Sequence, residues 1–109
     1  MLAMRQTAIC GSLGALLLIM VAGTAPAKVI QVKMDKVAYV PAQLSAHPGD
    51  TVEWVNDDIV THTATARNGA WDIVIAPKQK KSVVLKSAGG FDYYCKFHPN
   101  MVGHSTVAE

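Results

Sequence analysis

From Lys28 onward no stretch repeats its apolar residues at helical spacing for long enough to make a helix, whereas short β-type runs recur between turn signals. The clearest is TVEWVN, residues 51–56, in which Val52, Trp54 and Asn56 alternate with Thr51, Glu53 and Val55. Such a run buries one face and must find a partner strand. The others are KVIQVKM (28–34), VAYVPAQLSA (37–46, broken at Pro41), HTATA (62–66), KSVVLKS (81–87), GFDYYC (90–95) and GHSTVAE (103–109). HPGD, RNG and the Gly89-Gly90 pair supply turns, and DDIVT reads as a loop. Seven or eight short strands at this spacing predict an all-β, antiparallel two-sheet sandwich. With 109 residues there is room for one domain.

The first residues have a different character. Arg5 lies in a short polar head, GALLLIMVAG follows, and Ala25 and Ala27 occupy the −3 and −1 positions of a small-residue cleavage site. Residues 1–27 therefore read as a bacterial secretory signal and residues 28–109 as the exported domain, with the periplasm as its expected location. The apolar run is shorter than the ~20 residues of a bilayer span. Cys10 precedes that run, too early for lipid attachment, so no membrane anchor is expected after cleavage.

Beyond Ala27 the chain carries nine Lys and Arg against eight Asp and Glu, which leaves no basic stripe for nucleic acid. PKQKKS (77–82) reads as a solvated turn. Cys95 becomes the only cysteine, so an internal disulfide is impossible. An unpaired thiol in an oxidising compartment is a liability unless something occupies it.

The segment YYCKFHPNM, residues 93–101, suggests what does. It sets Cys95, His98 and Met101 three residues apart, a thiolate, an imidazole and a thioether on one short loop. That soft set favours copper, and a blue-copper centre needs a second imidazole. The strand directions provide one. If HPGD turns at one end of the sandwich, TVEWVN carries the chain to the other, so His62 lies far from His47, and the strand count permits His62 and the Cys95 loop to share that end. Zinc gains little from a methionine. His104 alternates with Ser105 and Val107, so it faces water if those two face the core.

At these residues the chain resembles the cupredoxins. The likeness rests on GDTVEWVN ahead of His62, on His-Pro-x-Met after Cys95 and on Gly103 two positions past Met101. The short Cys-x-x-His-x-x-Met loop is most similar to that of amicyanin and the small plastocyanin-like proteins. The resemblance implies an eight-strand Greek-key sandwich with one type 1 copper ion per chain, ligated by His62, Cys95, His98 and Met101. It implies one-electron shuttling by a monomer that docks weakly with larger periplasmic redox proteins around His98 and Pro99, near Ala76 and Pro77. Two positions depart from the family pattern. Thr63 stands where azurins and plastocyanins tend to carry an Asn that braces the ligand loop and bonds the cysteine sulfur, and GAWDIVIAP lacks the usual Ser-Gly. A Thr hydroxyl is the expected substitute. Catalysis by a Cys–His pair would need an orienting third group and a cleft, and would leave Met101 without a role, so no enzyme is expected. The competing reading is a carrier or buffer that delivers Cu(I), since the same ligands serve it.

Overall fold

The computed structural model describes residues 26–109, and the expected signal sequence lies outside these apart from Pro26 and Ala27. TVEWVN forms β4 (Thr51–Asn56), with Val52, Trp54 and Asn56 buried as their alternation requires. Around it run β1 (Val29–Met34), β2 (Tyr39–Val40), β3 (Gln43–Ala46), β5 (His62–Ala66), β6 (Asp72–Ile75), β7 (Lys80–Val84), β8 (Gly89–Cys95) and β9 (His98–Val107). They make two sheets, β2-β1-β4-β7 and β3-β9-β8-β5-β6, so the two-sheet sandwich is confirmed.

Three details differ from the sequence expectation. The sandwich is not wholly antiparallel, because β1 pairs in parallel with β4 and β3 with β9. After β2 the chain crosses to the second sheet for β3, then returns to the first beside β1 and pointing the same way. Strand β6 was not anticipated. It is a four-residue edge strand on β5, and although Ile73, Val74 and Ile75 are apolar and β-branched, only Ile75 is buried. Last, β9 starts at His98 rather than Gly103, and Cys95 pairs directly with His98 at an irregularity in the β8–β9 ladder. The expected loop from Cys95 to Met101 is thus a tight turn followed by strand.

The core lies between the sheets. Val32, Met34, Val52 and Trp54 come from one, and Ala64, Ile75, Tyr93 and Met101 from the other. Trp54 meets Tyr93 edge-on across the gap, with ring centroids 5.6 Å apart, and Tyr39 meets the same ring at 4.7 Å. Burial pushes the Tyr93 phenol up to about 12. Gly103 lies beneath that ring, where a Cβ would stand 2.3 Å from Tyr93 Cζ. The glycine two residues past Met101 is there to admit an aromatic ring.

Candidate metal centre

The directions of β4, β5 and β8 bring His62 and Cys95 to one end of the sandwich, as the turn pattern requires. Asn56, at the end of β4, organises the loop that follows. Its side-chain amide donates to the carbonyls of Val60 (2.8 Å) and Ile75 (3.0 Å), and its oxygen accepts the Asp58 N–H at 2.9 Å. Both its amide protons and its oxygen are engaged, tying the chain that leads into His62 to itself and to the end of β6.

Three donor atoms converge there. Cys95 Sγ lies 3.7 Å from His62 Nδ1 and 3.6 Å from His98 Nδ1, and all three lie within 4.8 Å of one another. A first-row ion bonded at about 2.0–2.1 Å to nitrogen and about 2.3 Å to sulfur, with angles near 120°, needs N···S separations of about 3.7 Å. The donor set fits a trigonal metal without rearrangement. His62 and Cys95 are fully buried, whereas His98 is half-buried. Met101, 2 % exposed, follows on β9.

The ring of His62 is fixed from behind. Its Nε2 lies 2.7 Å from Asp58 Oδ2, and a carboxylate can only accept, so Nε2 carries the proton and Nδ1 offers its lone pair. Asp58 also accepts the backbone N–H groups of Lys36 and Val37 at 2.8 and 3.0 Å. Burial raises its carboxyl, but the Val37 N–H, the His62 ring and the Lys36 N–H together hold it below the ordinary value. Lys36 and Val37 both have positive φ, 53° and 57°, in the turn between β1 and β2. Asp58 thereby ties a strained turn to His62.

Thr63 performs the bracing that its type left open. Its backbone N–H donates to Cys95 Sγ at 3.3 Å, and its hydroxyl accepts the Lys96 N–H at 2.9 Å. Its carbonyl accepts the buried Tyr39 hydroxyl, whose pKa burial pushes upward, with Cys95 and Tyr93 adding to the rise. The hydroxyl braces the loop, as expected, but it is the amide that reaches the sulfur.

The remaining histidines stand apart. His104 alternates with buried Ser105 and Val107, is half-buried, and pairs with Asp92 at 2.6 Å. His47 lies at the opposite end beside Asp50. Asp58, Thr65 and Asp72, which complete the surroundings of the site, were missed by sequence reasoning. Asp58 four residues before His62 was the one available signal, and in a loop that spacing has no fixed geometry.

A two-sheet β-sandwich with one buried thiol between two imidazoles at a sheet end defines the class of small single-site metal-binding β-proteins. The family model of the cupredoxin-like domain matches residues 8–107, and the chain belongs to that family of blue copper proteins. Among its relatives, plastocyanin from Prochlorothrix hollandica is 36% identical over 115 residues, covering 84% of this chain and 87% of the relative. Amicyanin from Paracoccus versutus is 27% identical over 92 residues, covering 79% and 70%. The crystal structure of that amicyanin superposes with a TM-score of 0.66 at 28% identity, covering 77% of this chain and 85% of the other. Copper is the metal of this family, in agreement with the soft donor set.

Proposed function

We propose that the chain is a periplasmic one-electron carrier that holds a single copper ion through His62 Nδ1, Cys95 Sγ and His98 Nδ1, with Met101 as a weak fourth donor. The observation that carries this reading is the convergence of the three donor atoms at 3.6–3.7 Å from the sulfur within a hydrogen-bonded frame. Copper supplies the Cu(I)/Cu(II) couple. The protein's part is to move as little as possible between the two states, and Asp58, Asn56 and Thr63 pin two of the donors from the side away from solvent. Export with removal of residues 1–27 suits a chain whose single mature thiol needs an occupant.

His98 is the donor nearest water, and exposed Phe97, Pro99, Ala76 and Ile59 share its end of the molecule. This apolar rim suits brief, small-area encounters between the monomer and larger redox proteins. Pro99→Glu therefore slows electron transfer with such a partner and leaves the visible spectrum unchanged.

The visible spectrum of the copper-loaded protein tests the main reading. An intense blue band that bleaches on reduction, returns on oxidation without copper loss and disappears in Cys95→Ser is the expected result. A band that persists in Cys95→Ser refutes the ligand assignment, and ready loss of Cu(I) to a chelator marks a copper carrier instead.

A further inference from the structure

The Thr63 hydroxyl belongs to a closed ring of hydrogen bonds that ends at the protein surface. Thr65 Oγ1 lies 2.9 Å from Asp72 Oδ1, and the Thr63 and Thr65 hydroxyl oxygens are 2.9 Å apart. Thr63 Oγ1 meets the Lys96 N–H at 2.9 Å, and the ammonium of the same Lys96 pairs with Asp72 Oδ2. The direction of each bond is forced. A carboxylate only accepts, so Thr65 spends its proton on Asp72 and must accept from Thr63. Thr63 then has only lone pairs left for Lys96, whose backbone N–H fills one of them.

We propose that Asp72 and Lys96 are positioning residues for Cys95, acting through Thr65 and Thr63 to fix the peptide that follows the cysteine. Lys96 is the residue after Cys95, so holding its N–H fixes the Cys95–Lys96 peptide plane. Thr63 grips the cysteine twice, the sulfur through its amide and the following peptide through its hydroxyl. The charge on Asp72 sets the direction of both hydroxyls and makes Thr63 a better acceptor, since linked hydrogen bonds polarise one another. Lys96 and Thr65 in turn hold the Asp72 carboxyl below its usual range. Thr63 and Thr65 are buried, while the Asp72 and Lys96 side chains are 49% and 44% exposed. A surface ion pair thus reaches a sulfur at the end of the core through two buried hydroxyls.

This rests on Cys95 being the metal-bound thiolate, yet it can be tested on the metal-free protein. An exposed ion pair contributes little to global stability, so Asp72→Ala and Lys96→Ala should leave the unfolding midpoint close to wild type. In both variants the Lys96 amide, followed by NMR hydrogen exchange, should exchange roughly three- to tenfold faster, as the weakening of one hydrogen bond implies. The alkylation rate of Cys95 by iodoacetamide should rise with it, and Lys96→Arg should restore both. Wild-type exchange in Asp72→Ala overturns the proposal. Faster exchange with an unchanged alkylation rate also overturns it, because the ring would then hold the loop without positioning the sulfur. If the copper reading fails while both rates respond, the failure appears only in the absence of a blue band.

Discussion

Replacing Gly103 by alanine should be among the most damaging single-methyl additions this protein can receive. The new Cβ would lie 2.3 Å from Tyr93 Cζ, 2.5 Å from its hydroxyl oxygen and 2.6 Å from Cε2, where ordinary contact begins at 3.4 Å. The ring must therefore move by about 1 Å. It has nowhere to go, being fully buried, with Tyr39, Trp54 and Trp71 centred 4.7, 5.6 and 6.1 Å away. Overpacking a close-packed interior costs about 1–3 kcal/mol, and rigid aromatic neighbours place this case near about 3 kcal/mol. For a domain of this size that lowers Tm by roughly 12–24 °C. Thermal unfolding followed by circular dichroism measures it. In a Tyr93→Ala background the same substitution should cost less than about 1 kcal/mol, since the obstacle has gone. A Tm drop under about 3 °C, or equal penalties in the two backgrounds, would falsify the packing argument.

Val37 holds a β-branched side chain at φ 57°, so Val37→Gly should stabilise the protein by about 1 kcal/mol in urea unfolding while keeping the N–H that Asp58 accepts; a lower midpoint would show that the turn is unstrained. The lowered Asp58 carboxyl contributes stability that is fully present above its unfolded value of about 4 and is lost as pH falls through its folded value. Asp58→Asn should therefore unfold with a shallower acid limb below about pH 4, and an unaltered limb would show that the carboxylate does not support the fold. Met101→Gln should retain copper at a lower reduction potential, because a harder axial oxygen favours Cu(II). An unchanged or higher potential in voltammetry would exclude Met101 as the axial donor.

The strands leading into the site were legible because TVEWVN alternates with period two and HTATA follows it between turn signals, although all five residues of HTATA are buried. TVEWVN and HTATA were read with the bounds the structure gives them, and the alternation of strand directions was consistent with His62 lying at the end that holds Cys95. What escaped was the material whose role depends on side-chain reach. Asp72 opens a short edge strand, and its meaning comes from lying opposite Thr65 in the β5–β6 register. Asp58 matters because a turn 21 and 22 residues earlier presents two N–H groups to it. Neither relation has a sequence period. Thr63 was weighed for its hydroxyl, whereas a backbone amide, which every residue but proline carries, makes the bond to sulfur.

The order of strands in the larger sheet has a bearing on how the molecule is made. The middle of that sheet is built by β8 and β9, the last strands in the chain, and β3 has no neighbour but β9, some sixty residues downstream. A polypeptide delivered from its N-terminus accordingly emerges with β3 unpaired and with the β5–β6 hairpin lacking the β8 strand that joins it to the sheet. Pairings this distant in sequence are slow to form. The sandwich closes only when the ten residues of β9 are free, and those residues bring His98 and Met101 with them. A nascent chain thereby leaves its larger sheet, and with it the candidate site, incomplete until its last strand has emerged.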